Sequence, residues 1–302
     1  MDQATNLRKM MMRESDRIHN LRKDNKDGFF SNNRPKVIAI TSGKGGVGKT
    51  SVVGNLAIAC QRMGKKVLVF DADLGLANID IIYGINPKHT IEDVITGKKE
   101  LSQIIVKGPE GVALIPSSSG VHDLAHLTEG QKINLLNEFD ALNNMFDVLL
   151  VDTGAGISSN VIYFNLAAEE RMVVVSPEPT SITDAYALIK VLFYQHGVDN
   201  FFLLFNMVNH EKEAKSVYQS MSKAVSRFMG GISLEYVGFI PWDSSLQESI
   251  IKRKPVMCCY PESSSSKSFT KLANHLLRQT DRIPIDGNIK FFWKRLMTAA
   301  GD

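Results

Sequence analysis

The chain has 302 residues, 44% of them hydrophobic and 22% charged, which is ordinary globular composition and allows one large or two small domains. A net charge of +3 is too mild to argue for nucleic acid as a partner. Three cysteines, Cys60, Cys258 and Cys259, make neither a disulfide framework nor a C-x-x-C metal pattern, and they fit a reducing cytosol. No apolar run reaches the length of a membrane span, the N-terminus shows no secretory apolar region, and no internal repeat is visible.

Residues 1–35 read as a basic arm. Arg8, Lys9, Arg13, Arg17, Arg22, Lys23 and Lys26 outnumber the acids, and Leu7, Met11, Ile18 and Leu21 recur at roughly helical spacing. Asp27-Gly28 and Ser31 to Pro35 read as a linker. The apolar run Val37 to Ile40 then predicts a buried strand. It leads into Ser42-Gly43-Lys44-Gly45-Gly46-Val47-Gly48-Lys49-Thr50-Ser51, and a helical pattern with Leu56, Ala57 and Ala59 follows. Strand, G-x-x-x-x-G-K-[ST] loop and helix together define a phosphate site. Glycines let backbone N–H groups wrap a polyphosphate, and the helix start adds unpaired N–H groups with partial positive charge. Lys49 is expected at the β- and γ-phosphates and Thr50 at Mg²⁺.

Lys44 is a second cation in that loop, badly placed to bend back onto the same phosphates. In this the Lys-Gly-Gly-x-Gly-Lys-Thr loop resembles the deviant Walker A family, the MinD/ParA-like ATPases. The resemblance implies that Lys44 crosses a dimer interface to the partner's nucleotide. It also implies ATP or ADP and Mg²⁺ as cofactors and a doubly wound, mainly parallel α/β sheet flanked by helices. Seven short apolar strands near residues 37, 67, 112, 148, 172, 202 and 236, alternating with helices, also predict that sheet.

A second apolar run, Val67 to Phe70, ends in Asp71-Ala72-Asp73. Ligands of open α/β sheets sit at such carboxyl ends, and two acids there are expensive to bury without a partner. The resemblance assigns Asp73 to the attacking water and Asp71 to the metal region. The Pro87 to Gly97 stretch reads as a surface excursion with a helix start at Thr90-x-x-Asp93, and His89 as a loop residue. Val112 to Pro116 reads as a strand. His122 and His126 share a helical face but lack the glutamate of a zinc-protease pattern. A helix with Leu135, Leu136, Phe139 and Leu142 precedes Val148-Leu149-Leu150-Val151-Asp152. Four apolar residues and an acid make the second half of the nucleotide site, with Asp152 expected to hold Mg²⁺ through a water. Gly154 and Gly156 free the next loop to sense the γ-phosphate.

Met172 to Ser176 predicts another strand, and Thr180 or Ser181 is expected to cap the following helix. Strands around Phe201 to Met207 and Val237 to Pro241 follow. The resemblance puts adenine against Asn206 and Pro241, with Asp243 nearby, and a side-chain amide suits a purine edge. After breaks at Pro284 and Gly287, Ile289, Phe292, Trp293, Leu296 and Met297 fall on one helical face, with Lys290, Lys294 and Arg295 beside it. This is a short basic amphipathic helix suited to an anionic bilayer, and two copies in a dimer would bind far better than one.

At the other end, Asp2-Gln3-Ala4-Thr5-Asn6-Leu7-Arg8 is similar to the Asp-Gln-Ala-x-x-Leu-Arg element of the flagellar-number branch of the family, FlhG, also called FleN or YlxH. That similarity implies that Asp2, Gln3, Ala4, Leu7 and Arg8 bind the GTPase FlhF and that Gln3 reaches its active site. The expected organisation is an arm over 1–35, an ATPase domain over 36–283 and a membrane-targeting tail over 284–302. The expected function is an ATP-dependent homodimeric switch with slow regulatory hydrolysis, cytoplasmic and peripherally membrane-bound, that sets flagellar number and placement through FlhF. Switch-complex proteins are further expected partners, and nucleic acid is not. The alternatives are a cell-division (MinD) or partition (ParA) ATPase, or a regulator that sequesters a flagellar transcription factor.

Overall fold

A computed structural model describes residues 35–73, 78–117, 127–140, 142 and 145–278. The chain divides into two units, Met1–Asn33 and Arg34–Asp302, and every described residue belongs to the second. The arm residues Asp2, Gln3, Ala4, Leu7 and Arg8, the pair His122 and His126, and the tail residues Ile289, Phe292, Trp293, Leu296 and Met297 lie outside the described residues.

The elements run in order β1 (Lys36–Ser42), α1 (Lys49–Arg62), β2 (Val67–Ala72), α2 (Ile79–Tyr83), α3 (Ile91–Ile95), α4 (Leu101–Ile104) and β3 (Val106–Lys107). A 3₁₀ turn (Pro109–Gly111) leads to β4 (Ala113–Ile115), α5 (Glu129–Asp140), β5 (Val148–Ala155), α6 (Ser159–Ala167) and β6 (Glu170–Val175). Then come α7 (Pro179–His196), β7 (Asn200–Val208), α8 (Glu211–Phe228), β8 (Ser233–Pro241), α9 (Ser244–Ile251), α10 (Val256–Cys259) and α11 (Ser264–Arg278).

The eight strands form one sheet in the order β3-β4-β2-β5-β1-β6-β7-β8. The seven strands expected from the apolar runs all pair in parallel, with Ile38 opposite Leu150 on one side of β1 and Glu170 on the other. The sequence reading missed β3, a two-residue strand antiparallel to β4. Two residues are too few to show an alternation.

Every residue of β1 is buried, which requires cover on both faces. The pleat sorts them. Ile38 and Ile40 pack with Leu56 of α1 and Phe269 and Leu272 of α11. Val37 and Ala39 point the other way, into Leu135, Phe139 and Phe164. Past β6, Val173 and Val175 pack on Leu188, Ile189 and Leu192 of α7. The chain leaves β1 towards β2 and leaves β5 towards β6, in opposite directions. The crevice at the carboxyl ends beside β1 is therefore the switch point of the sheet.

One expected cap is placed differently. The N-cap of α7 is Glu178, because Pro179 takes the first helical position. Ser181 instead accepts from Ser176 N at 3.0 Å. The helix start at Thr90 is where the sequence puts it, with Thr90 N donating to Asp93 at 3.2 Å. His89 pairs with the same carboxylate at 3.2 Å.

Candidate nucleotide site

The loop between β1 and α1 is built by its glycines. Gly46 and Gly48 adopt φ of 80° and 81°, a region that side chains rarely tolerate. A side chain on Gly43 would collide with the backbone of Asp184 and Ala185 at the start of α7. One on Gly48 would collide with the Asn206 amide. Asn206, at the end of β7, is buried and donates to Val47 O at 2.8 Å, so it holds the loop from the next layer. The Ser42 hydroxyl donates to Lys44 O at 2.9 Å.

A cavity of about 780 Å³ opens over this loop, a volume typical of small-ligand sites. Lys44, Gly45, Gly46, Val47, Gly48, Lys49, Thr50, Ser51 and Asp73 line it, as expected from sequence. Asn78, Ile81 and Ile82 of the α2 region, Gly154 and Asn160, and Met207, Gln247 and Ile250 also line it. Gly43, Asn206, Asp71 and Asp152 lie behind the lining rather than on it. Pro241 pairs with Val208 at the end of β8. The Asp243 carboxylate is spent on Ser245 N at 2.9 Å, Ser265 N at 2.9 Å and the hydroxyls of Ser264 and Ser265 at 3.0 and 2.8 Å. It ties α9 to α11.

The charges are concentrated beneath the loop. Lys49 donates to Asp152 at 2.6 Å, and both are buried. Burial pushes the Asp152 carboxyl up, and Lys49 opposes that shift. Asp71 stands directly across from Asp152 in the neighbouring strand. Burial, and then the Asp152 charge, push it up to about 8, against the backbone N–H groups of Ile79, Asn78 and Asp73. Lys44 is half exposed at the rim, 2.7 Å from Glu178 and 2.8 Å from the Thr180 hydroxyl.

Of the buried polar atoms with no hydrogen-bond partner among the described residues, three belong to the loop or stand directly behind it: the Ser51 hydroxyl, Asp152 Oδ2 and Asn206 Oδ1. Such groups are rare and call for an explanation. Their chemistry matches a magnesium nucleotide part by part: a hydroxyl for phosphate, a carboxylate oxygen for a hydrated cation, an amide oxygen for an exocyclic amine. The residues fit the group.

Sequence reasoning missed Met207, Gln247 and Ile250, and the partners of Lys44. Met207 has a signal only in three dimensions. The register slips between Asn206 and Val208 against β8, and Met207 sits in that bulge with φ of 60°. Gln247 and Ile250 come from α9, far along the chain from the loop.

Fold and site together define a P-loop nucleotide-binding protein with a MinD-type sheet. Residues 38–256 match the CobQ/CobB/MinD/ParA nucleotide binding domain. The chain belongs to that family, in the flagellar-number (FlhG, FleN, YlxH) branch. It is 42% identical over 266 residues to the antiactivator FleN of Pseudomonas aeruginosa, covering 87% of this chain and 93% of that protein. It is 35% identical over 297 residues to the flagellum site-determining protein YlxH of Helicobacter pylori, covering 96% and 100%. In structure it is similar to the MinD protein of Pyrococcus horikoshii complexed with Mg-ADP. The TM-score is 0.66 and the identity 26%, over 82% of this chain and 98% of that one.

Proposed function

We propose that the protein is an ATP-driven dimerising switch that controls flagellar number and placement. Residues Gly43 to Ser51 hold the phosphates of ATP or ADP, Thr50 and Asp152 hold Mg²⁺ with Asp71 behind them, and Asn206 with the Pro241 region meets the adenine. Bound Mg²⁺ supplies charge neutralisation at the phosphates. Asp73 orients the attacking water, Lys49 steadies the developing charge and Lys44 acts on the nucleotide of a second copy.

The observation that carries this reading is the position of Lys44. Its ammonium is fixed at the rim by Glu178 and Thr180 while Lys49 alone serves the interior. Glu178 is 62% exposed. Exposed pairs of this kind contribute about 0–1 kcal/mol, so a stronger acceptor in a facing copy can take the lysine. Ile81 and Ile250 line the cavity and are 48% and 39% exposed, and Ile157 nearby is 55% exposed. An apolar mouth of this kind suits a face that closes on another. In the dimer, the basic tail segments at 289–297, apolar on Ile289, Phe292, Trp293, Leu296 and Met297, act together on an anionic membrane, and the arm element Asp2 to Arg8 acts on FlhF.

The test is light scattering of the full chain with and without ATP and Mg²⁺. The wild type doubles in mass with ATP, whereas Lys44→Ala stays single and still binds nucleotide. A wild type that remains one subunit with ATP bound sinks the switch. A second reading draws on one relative's being named an antiactivator. In it the ATP-bound form sequesters a transcription activator. Deleting residues 1–8 separates the two. The FlhF reading requires loss of stimulated GTPase activity with dimerisation intact, and unchanged stimulation leaves sequestration as the output.

A further inference from the structure

Asp71 is expected at the metal, yet both its oxygens are already engaged. It is the penultimate residue of β2 and only 2% exposed. Oδ1 accepts from Asp73 N at 3.3 Å. Oδ2 accepts from Asn78 N at 3.0 Å and Ile79 N at 3.2 Å. Those last two donors are the start of α2. The first N–H groups of a helix have no partner within the helix and usually take a side chain from the residue just before it. Here Asn78 is the N-cap and its side chain makes no capping bond. The cap comes from the neighbouring strand instead.

We infer that Asp71 is a positioning residue that sets Asp73 and α2 in fixed relation to each other, rather than a ligand of the cation. The inference rests on the ATPase reading of the site. Asp73 lines the cavity on one side of Asp71, and Asn78, Ile81 and Ile82 line it on the other. One carboxylate therefore joins the residue assigned to the attacking water to the wall that carries the exposed Ile81 at the cavity mouth. A shift at either end is transmitted to the other through a single buried group. Asp71 also shares a strand register with Asp152, so it takes its bearings from the strand that supplies the Mg²⁺ acid.

The test is Asp71→Asn, which keeps the shape and replaces one acceptor oxygen by a donor. Leaving a buried backbone N–H without its acceptor is worth roughly tenfold in rate when it acts on a reacting group. The expected result is kcat about tenfold lower, with KM for ATP and half-saturating Mg²⁺ within about twofold. An unchanged kcat overturns the inference. So does a half-saturating Mg²⁺ raised about tenfold with kcat recovered at excess Mg²⁺, because that is the behaviour of a ligand. If the variant does not fold, amide exchange in the wild type decides. The Ile79 N–H, in the first helical turn, exchanges as slowly as the interior of α1 if Asp71 holds it and as fast as an open turn if it does not. A wild type that hydrolyses no ATP would defeat the ATPase reading and leave the exchange result to judge the clamp alone.

Discussion

Two buried lysines mark the two ends of the sheet, and they are used in opposite ways. At the amino edge, Lys36 opens β1 and pairs with Glu170, which opens β6, at 2.9 Å. It also donates to Leu276 O in the last turn of α11 at 2.8 Å. At the carboxyl edge, Lys49 opens α1 and pairs with Asp152 at 2.6 Å. Lys36 is 6% exposed and Lys49 7%, so burial does not separate them. Their surroundings do. Lys36 is wedged between a strand and a helix end, with a backbone carbonyl that cannot leave. Lys49 has one carboxylate oxygen on one side and the 780 Å³ cavity on the other. A lysine with fixed partners on every side holds a fold together. One with a single partner beside a cavity can exchange that partner for a phosphate.

Substituting each lysine by methionine should separate the two uses. Removing one member of a buried pair typically costs about 3–5 kcal/mol, because it strands the other charge. Lys36→Met should lose about that much stability in urea unfolding, with nucleotide affinity of the folded protein unchanged. Lys49→Met should lose roughly a hundredfold in nucleotide affinity, the value of one strong charge-assisted bond, read by titration with a fluorescent ATP analogue. If Lys36→Met weakens ATP binding as much as Lys49→Met does, the two ends are coupled and the contrast fails. A smaller effect sharpens it further. Gly48→Ala puts a side chain at φ of 81° and into the Asn206 amide. The expected loss is about 2 kcal/mol of stability together with weaker ATP binding, since the same residue shapes the loop and touches its support. Normal binding by Gly48→Ala would mean that the loop relaxes without Asn206.

The same contrast explains what could be read from the sequence. The loop from Gly43 to Ser51, and the acids Asp71, Asp73 and Asp152, were legible because each chemical unit is contiguous and each acid ends an apolar run. The parallel sheet followed from strands buried on both faces, as in β1. What was not legible depends on residues brought together by folding. Glu178 and Thr180 meet Lys44 across more than a hundred residues of chain. Pro179 moved the α7 cap from Thr180 to Glu178, which freed Thr180 for that contact. Met207 reaches the cavity through a bulge that only the pairing of β7 with β8 creates. Lys36 gives no sequence signal of its role, because its partners lie on β6 and at the end of α11.

Asp243 tests the boundary between the two kinds of residue, since the resemblance places it near the adenine and its contacts are those of a cap. Burial pushes its carboxyl up, but Ser265, Ser245 and Ser264 donors outweigh that and hold it at about 2. A carboxyl depressed on folding stabilises above its unfolded value, about 4, and that contribution fades as the pH falls towards 2. Asp243→Ala should therefore cost about 1 kcal/mol near neutral pH, the usual value of a lost helix cap, with solvent screening keeping it small. Between pH 4 and pH 2 the difference between variant and wild type should shrink, as the wild type loses the bonded carboxylate that the variant already lacks. A thermal melt series across that window reads it. If Asp243→Ala instead leaves stability unchanged and weakens ATP binding at neutral pH, Asp243 belongs with Lys49 rather than with Lys36. The carboxyl end of β8 would then be part of the binding machinery and not merely its support.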